Sequence, residues 1–221
     1  MNTVLCFGDS NTWGYIPGTE GRRYPAHLRW PGIMAKNLGT GYRVIEEALN
    51  GRTTAFDDPI KDHRNGAAVL PLILESHTPI DLIILMLGTN DLKQHLGLVA
   101  NDIALGMSRL IETVKSANCG PWADGPSGTS ATGTQPQILL ASPVIPVNSN
   151  ARGPIDKFPD ASTRSQDLTD KYRSLAEATG CAFIDAASRI SVPEPDGVHL
   201  DTSGHETVGH AMAKAVRSLI G

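Results

Sequence analysis

Three residues with the chemistry of a nucleophile and its proton carrier stand near opposite ends of the sequence. Ser10 ends the motif Gly8-Asp9-Ser10 directly after a short apolar run, so its hydroxyl is expected on a turn at the end of a strand. Asp196 precedes His199 by three residues, a spacing at which one turn brings the carboxylate to the ring Nδ1. Such a histidine can take a proton from a serine hydroxyl and pass it to a leaving alcohol. Each motif alone is weak evidence, because these residues are also common in turns and helix caps.

Two more polar motifs follow apolar runs and supply groups that bind a developing oxyanion. Asn90 follows the most hydrophobic run, where its amide can project over the sheet edge as a donor. Gly51 follows the second run, where the missing side chain lets a backbone N–H approach a tetrahedral oxyanion closely. The alternatives are an Asx-turn cap and an ordinary tight turn. Beside this turn, Arg52 either pairs with Asp57 or Asp58 or faces water.

Short apolar runs alternate with longer helical patterns and predict the elements that position these residues. Five strand-like runs occur at residues 3–7, 42–45, 81–87, 138–141 and 181–184. The third is apolar at every position from 82 to 87, which is typical of a central parallel strand covered on both faces. Helical patterns occupy residues 31–38, 102–117, 163–179 and 203–220. The alternation predicts a mainly parallel five-stranded sheet in a three-layer α/β/α sandwich.

Length, composition and charge bound the fold and exclude several classes of partner. The 221 residues, 40% hydrophobic and 19% charged, are expected to form a single domain over 1–221, with a Gly/Ser/Thr-rich surface loop at about 120–136. A net charge of −4 without a Lys/Arg-rich run argues against a nucleic-acid partner. With no bilayer-length apolar run and no signal-peptide pattern, we expect a cytoplasmic protein without a membrane partner.

The histidines and cysteines do not form a metal-binding pattern. His205 and His210 are five residues apart, whereas the zinc motif HExxH needs a spacing of four to place both rings on one helix face. The three cysteines lack metal-ligand spacing. The histidines interpreted as solvated or capping residues are His27, His63, His77 and His95. We therefore expect neither a metal nor another cofactor.

Four aromatic residues are candidates for the wall of a substrate pocket: Trp13, Tyr15, Trp30 and Trp122. Trp13 is the strongest of them, because it lies three positions after Ser10. Trp30 fits core packing better.

Together the four motifs resemble the SGNH (GDSL) hydrolase family, whose blocks supply serine, glycine, asparagine and histidine in the order Ser10, Gly51, Asn90 and His199. The resemblance runs nearly end to end and implies the SGNH fold, a flavodoxin-like sandwich. It implies that Ser10 is the nucleophile, His199 the general base and acid, and Asp196 its orienting carboxylate. It also implies an oxyanion hole made of the Ser10 and Gly51 backbone amides and the Asn90 side chain.

Finer features resemble the bacterial arylesterase and acyltransferase branch of that family, at residues 52–54 with 57–59, 84–91 and 102–107. This implies a small-molecule ester substrate with a short acyl group, an acyl-enzyme on serine, transfer to alcohols beside hydrolysis, and a homo-oligomer. Asn11 replaces the leucine of the usual motif, and with Trp13 it is our candidate for substrate binding.

Other functions use the same scaffold. The machinery also suits deacetylation of a carbohydrate or hydrolysis of a thioester or lysophospholipid. A binding module without catalysis is a further alternative, because a fold can lose its site. The presence of all four reactive positions favours an enzyme, so we predict a carboxylic ester hydrolase of the arylesterase type.

Overall fold

Five strands form one sheet in the computed structural model, which describes residues 1–122, 133–147, 157–190 and 196–221. They are β1 (Asn2–Gly8), β2 (Tyr42–Ala48), β3 (Leu82–Met86), β4 (Gln137–Ala141) and β5 (Ala182–Ile184). Their order is β2-β1-β3-β4-β5, and every pairing is parallel. The predicted α/β fold with a five-stranded sheet is confirmed.

Helices cover both faces of this sheet. They are α1 (Ser10–Trp13), α2 (Trp30–Leu38), α3 (Gly66–His77), α4 (Ala100–Ser116), α5 (Ala161–Arg164), α6 (Leu168–Thr179) and α7 (Thr202–Ile220). Short 3₁₀ turns occupy Ala26–Leu28, Asn90–Leu92, Gln94–Leu96 and Ala187–Arg189. Helices α2 and α7 pack together on one face, while α4 contacts both α3 and α6 on the other. The three layers are those that the sequence predicts.

The central strand β3 joins two apolar cores. All five of its residues are buried, as the uninterrupted apolar run predicts. Ile84 belongs to the core on the α2 and α7 face, together with the fully buried Trp30. Ile83 belongs to the opposite core, together with Met107 of α4. Because successive side chains of a strand point to opposite faces, one continuous apolar strand supplies both cores.

The predicted helix over 163–179 is wrong in one respect, because it is two helices. Helix α5 ends at Arg164 and α6 begins at Leu168. Between them Asp167 adopts a left-handed conformation with φ of 64°, which interrupts the helical hydrogen-bond ladder. Aspartate is among the few residues other than glycine that tolerate this region. The predicted end at Gly180 is confirmed, since that residue caps α6 in the left-handed region.

Helix α3 is absent from the sequence prediction. Asn65 caps its start by accepting a hydrogen bond from the backbone N–H of Ala68 at 3.3 Å. Pro71 lies inside the helix and is exposed. Proline lacks an N–H and crowds the preceding turn, so it ordinarily marks a helix end. Here the buried Leu70 and Leu74 anchor the helix in the core on either side of it.

The chain order creates a crevice at the carboxyl ends of the central strands. After β1 the chain crosses to β2 on one side and then to β3 on the other, which is the arrangement that places ligand sites in open α/β sheets. At the end of β1, a Cβ on Gly8 would lie only 2.0 Å from Oγ1 of Thr12. Glycine is therefore required for α1 to fold back tightly and carry Ser10 to the sheet edge.

Two further predictions concern the surface loop at about 120–136 and membrane-spanning segments. Of the loop at about 120–136, residues 123–132 lie outside the described ranges. Within the described ranges, no helix combines the length and apolar character needed to cross a bilayer.

Candidate active site

Ser10 is the first residue of α1, directly beyond the end of β1. Asp9 caps this short helix, and its Oδ1 accepts a hydrogen bond from the backbone N–H of Asn11 at 2.9 Å. Ser10 itself is buried, with 5% of its surface exposed. The strand, the cap and the close approach at Gly8 thus hold the hydroxyl in one place at the crevice.

The structure brings His199 and Asp196 to this serine across 189 residues of sequence. The ring Nε2 lies 3.0 Å from Ser10 Oγ, and the ring Nδ1 lies 2.9 Å from Asp196 Oδ2. The other carboxylate oxygen, Oδ1, accepts hydrogen bonds from the backbone N–H groups of Val198 and His199, both at 3.0 Å. The three-residue spacing therefore forms the turn that the sequence predicts.

The Asp196 carboxylate is held in its ionised form. The backbone N–H of Gly18 donates a further hydrogen bond to Oδ2 at 3.2 Å. Burial acts to raise the pKa of Asp196, but the hydrogen bond and charge of His199 and the backbone N–H donors outweigh it. The pKa consequently lies well below its usual range. A permanent negative charge beside Nδ1 fixes the ring tautomer and favours the imidazolium.

The ends of β1, β2 and β3 meet at Asn90. Its Nδ2 donates to the carbonyl oxygen of Arg52 at 3.1 Å and to Oδ2 of Asp9 at 3.3 Å. Gly51, just before Arg52, adopts a left-handed φ of 86° that favours glycine. Among the described residues, the backbone N–H groups of Ser10 and Gly51 donate no backbone hydrogen bond. These two amides are available for an oxyanion, whereas the Asn90 amide is engaged and must release a partner to join them.

Two buried carboxylates support this part of the site. Burial raises the pKa of Asp9 to about 6, although the Asn11 amide and the charges of His199 and Arg52 oppose the rise. Burial likewise raises the pKa of Asp91 to about 6. Asp91 accepts hydrogen bonds from both the backbone N–H and the hydroxyl of Thr54, the latter at 2.6 Å. Asp91 thereby ties the segment after Gly51 to the end of β3.

Arg52 neither pairs with Asp57 or Asp58 nor faces water, so both expectations for it are wrong. Its buried guanidinium donates to the carbonyl oxygens of Gly8 at 3.1 Å and Glu47 at 2.6 Å. It also lies 4.2 Å above the centre of the Phe7 ring. Burial lowers the pKa of Arg52 to about 10. Its role is to lock the ends of β1 and β2 together.

Asp58 instead belongs to a separate buried ion cluster beside the turn at Gly51. Its carboxylate bonds to Lys93 Nζ at 2.7 Å and to His95 Nε2 at 2.9 Å. His95 and His77, interpreted from the sequence as solvated or capping residues, are 28% and 22% exposed and lie in the last turns of their helices. The sequence did not predict their carboxylate partners, and that of His77 is Glu47 at 2.7 Å. The described residues contain no group of three or more His, Cys, Asp or Glu placed to hold a metal ion.

The two substrate-binding candidates occupy different environments. Asn11 is buried, and its amide donates to the carbonyl oxygen of Val198 at 3.2 Å and accepts from the backbone N–H of Leu200 at 3.0 Å. Its polar atoms thus brace the turn that carries His199. Trp13 is half-buried, with the Arg23 guanidinium 4.7 Å above its ring.

Of the other aromatic candidates, Tyr15 lies at the site and Trp122 lies away from it. Tyr15 stacks on the His199 ring, with 4.2 Å between ring centres and 23° between planes. Trp122 lines a different cavity of about 620 Å³ between α3 and α4, together with Pro71 and Arg109. Sequence reasoning identified the aromatic character of Tyr15 but not this contact, because no spacing links residue 15 to residue 199.

Comparisons with known proteins identify the family and the fold. The family model described as GDSL-like Lipase/Acylhydrolase family matches residues 6–207. The chain belongs to this family. Curated protein sequences contain no significant match to this GDSL-like chain.

Solved structures resemble this family member over its whole length. The native aryl esterase of M. smegmatis is 38% identical, with 100% of both chains covered and a TM-score of 0.90. A carbohydrate acetylesterase from Sinorhizobium meliloti is also 38% identical, with 100% of both chains covered and a TM-score of 0.91. A second S. meliloti structure, of a carbohydrate acetylesterase family member, is 39% identical with the same coverage and a TM-score of 0.87. The predicted family and SGNH fold are confirmed, and the esterase class is supported by these relatives.

Proposed function

We propose that the protein is a carboxylic ester hydrolase that cleaves short-chain acyl esters through an acyl-enzyme on Ser10. The observation that carries the proposal is the pair of hydrogen bonds on the His199 ring. One nitrogen lies 3.0 Å from Ser10 Oγ and the other lies 2.9 Å from the ionised Asp196. This is the arrangement that turns a serine hydroxyl into a nucleophile.

The reaction proceeds in two halves. His199 accepts the Ser10 hydroxyl proton as Oγ forms a bond to the ester carbonyl carbon. When the tetrahedral intermediate collapses, the carbon–oxygen bond to the alcohol breaks and His199 gives its proton to the leaving oxygen. Water then attacks the acyl-enzyme with His199 again as base, and the carboxylic acid leaves as Ser10 regains its proton.

The negative charge of each tetrahedral intermediate needs donors already in place. The backbone amides of Ser10 and Gly51, which donate no backbone hydrogen bond within the described residues, are two of the donors in this proposal. The Asn90 side chain is the third. Asn90 would exchange its 3.3 Å hydrogen bond to Asp9 for one to the oxyanion. Preorganised donors of this kind contribute much of the rate enhancement in acyl transfer.

The test is turnover of p-nitrophenyl acetate and longer p-nitrophenyl esters by the wild type and Ser10→Ala, with fluorophosphonate labelling of both. We expect rapid turnover of the acetate and labelling of the wild type, with both abolished in the variant. A wild-type protein that neither turns over nor labels would overturn the proposal. It would favour a binding module instead.

A carbohydrate acetate is a second candidate substrate, because two similar structures are carbohydrate acetylesterases at 38% and 39% identity. The same acyl-enzyme would form, with a sugar hydroxyl as the leaving alcohol. Acetate release from peracetylated xylose and from phenyl acetate separates the two. Higher kcat/KM on the sugar would favour the acetylesterase, and the reverse would favour an arylesterase.

Acyl transfer and self-association belong to the same proposal. In the arylesterase and acyltransferase branch that the sequence resembles, neighbouring subunits narrow the site and favour alcohols over water. Leu72 on α3 and Leu105 on α4 are 69% and 62% exposed, and they are the contact positions that we propose for a homo-oligomer. Light scattering during size exclusion tests the assembly, and the ratio of new ester to acid in excess alcohol tests the transfer.

A cytoplasmic location completes the proposal. Its support is the presence of Cys6, Cys119 and Cys181 as free thiols, the state that a reducing compartment maintains. Cell fractionation with an antibody against the protein tests it.

A further inference from the structure

We propose that Tyr15 is a positioning residue of the catalytic triad, holding the His199 ring parallel to its own and stabilising the imidazolium that forms during proton transfer. The inference rests on the proposed function, because it concerns the same histidine. Its starting observation is the stacked pair itself, with 4.2 Å between ring centres and 23° between planes.

Tyr15 is anchored to the segment that carries the nucleophile. Its backbone N–H donates to the carbonyl oxygen of Ser10 at 3.1 Å, just beyond the end of α1. The ring is therefore tied to the serine at one end and lies against the histidine at its face. A tilt of the His199 ring out of the stacked plane would break this contact.

A small hairpin fixes the other end of the Tyr15 side chain. Tyr15 pairs with Arg23 in an antiparallel bridge, and the backbone N–H of Ile16 donates to the carbonyl oxygen of Arg22 at 3.0 Å. The Tyr15 hydroxyl donates to the carbonyl oxygen of Thr19. It also accepts from the backbone N–H of Gly21 at 3.1 Å. The ring is thus held at both its backbone and its hydroxyl.

The same hairpin reaches the third member of the triad. The backbone N–H of Gly18, at its tip, donates to Asp196 Oδ2 at 3.2 Å. That oxygen is the one bonded to His199 Nδ1. One hairpin therefore contacts both the base and its carboxylate. This double contact is hard to explain if Tyr15 only fills space.

The stacked geometry has an electrostatic consequence. When His199 accepts the Ser10 proton, the ring becomes a cation with the Asp196 carboxylate at its edge and the Tyr15 ring against its face. The face of an aromatic ring is negative, and a cation within about 6 Å of its centre is attracted to it. The attraction exists only while the ring is charged. Tyr15 therefore stabilises the transition state more than the resting enzyme, which raises kcat rather than substrate affinity.

The first experiment compares Tyr15→Phe with Tyr15→Leu on p-nitrophenyl acetate. Phenylalanine keeps the aromatic face and loses the two hydroxyl contacts that help to hold the ring, so its kcat is expected to fall by less than that of the leucine variant. Leucine keeps an apolar side chain and loses the face, so its kcat is expected to fall about fivefold, the size of a partly desolvated cation–π contact. KM is expected to be similar in all three proteins. Thermal melting and fluorophosphonate labelling check that each variant is folded.

A second measurement separates electrostatics from packing without a change of shape. Phenylalanine carrying one, two or three ring fluorines is placed at position 15, and each fluorine weakens the negative face. We expect log kcat to fall in step with the number of fluorines. A kcat independent of fluorination, or a Tyr15→Leu effect confined to KM, would overturn the inference and leave Tyr15 as a pocket wall. Inactivity of the wild type itself would instead count against the proposed esterase.

Discussion

Two aspartate–histidine pairs of the same length lie among the described residues, and only one of them contacts the serine proposed as nucleophile. Asp196 and His199 are joined at 2.9 Å, and so are Asp58 and His95. Both carboxylates have a pKa well below the usual range, despite burial that acts to raise it. Distance and charge state alone therefore do not distinguish them. The two pairs are distinguished by the other groups that each carboxylate binds.

Asp196 is surrounded by neutral donors. Its other partners are the backbone N–H groups of Gly18, Val198 and His199. Among the described residues no lysine or arginine pairs with it, so its full charge remains available to an imidazolium. The far nitrogen of His199 faces Ser10. This pair can therefore gain a proton during the reaction and give it up again.

The charge of Asp58 is already paired with the ammonium group of Lys93. Lys93 Nζ lies 2.7 Å from its other oxygen, and the carboxylate side chain is only 1% exposed. An imidazolium on His95 would share a carboxylate that the ammonium already neutralises. Lys93 Nζ also lies 3.7 Å from where a Cβ on Gly51 would stand. The second pair therefore acts as a brace beside the turn at Gly51, with its carboxylate shared between Lys93 and His95.

The sharpest way to break this comparison is to neutralise each carboxylate in turn. Asp196→Asn is expected to lower kcat by about 10⁴-fold, because the amide stabilises neither the right tautomer nor the imidazolium. Turnover of p-nitrophenyl acetate measures it. Asp58→Asn is the matched control, with a kcat expected to fall by far less. Equal losses in the two variants would mean that both pairs serve catalysis.

The same Asp58→Asn variant is expected to show its main effect on stability. Removing one partner leaves Lys93 buried without its counter-charge, which costs about 3–5 kcal/mol in the free energy of unfolding. Urea denaturation measures it. The double variant Asp58→Asn/Lys93→Met removes the stranded charge and should recover much of the loss. No recovery would show that the carboxylate acts through its other hydrogen bonds.

Asn90→Ala tests whether the Asn90 amide contributes to kcat as an oxyanion donor, in contrast to the Asp58–Lys93–His95 cluster. Loss of one oxyanion donor is expected to lower kcat by about 10²–10³-fold with a small change in KM. Steady-state kinetics on p-nitrophenyl acetate measure both. His95→Gln serves as the control, with kcat expected to be unchanged. A large effect of His95→Gln with a small effect of Asn90→Ala would reverse our assignment of the two groups.

The smallest predicted effect concerns His205 and the loss of folding stability at acid pH. Burial lowers the pKa of His205 to about 4, with further lowering from the charges of Arg29 and His199 and opposition from Asp201. Since an unfolded histidine titrates near 6.5, the unfolded chain binds more protons between about pH 6.5 and 4. The contribution of His205 to stability is therefore present above pH 6.5 and lost as the pH falls through this window.

The measurement is the melting temperature of the wild type and His205→Gln from pH 7.5 to 4.5. We expect the wild type to lose more of its melting temperature than the variant does. Asp91 has the opposite sign, since its pKa of about 6 lies above that of the unfolded chain. It is present in both proteins, so its contribution cancels in the comparison. Parallel slopes would exclude His205 as the cause.

Most strands and helices could be predicted from the sequence, and the errors in the prediction have local causes. The run at 82–87 predicted β3 because a strand covered on both faces must be apolar throughout. Residues 163–179 were predicted as one helix because their apolar pattern does not indicate the left-handed conformation of Asp167. Helix α3 was missed at Pro71, whose cost is offset by the burial of Leu70 and Leu74.

Within the site, short-range spacing carried the information that could be read. The three-residue spacing from Asp196 to His199 predicts a hydrogen-bonded turn, because a turn is local. The order of the motifs at Ser10, Gly51 and Asn90 predicts a common sheet edge, because parallel strands end on the same side. These features depend on backbone geometry that neighbouring residues determine.

Long-range packing decided what the sequence did not reveal. The contact of Tyr15 with His199 joins residues 184 positions apart, and no periodicity or spacing encodes it. Arg52 likewise bonds to the carbonyl oxygens of Gly8 and Glu47 rather than to the nearby Asp58. In both cases burial removes water as an alternative partner, so the choice depends on which groups the folded strands bring within reach. The sequence by itself therefore determined the strands, the family and the reactive groups, and only the tertiary structure decided which neighbours hold those groups in place.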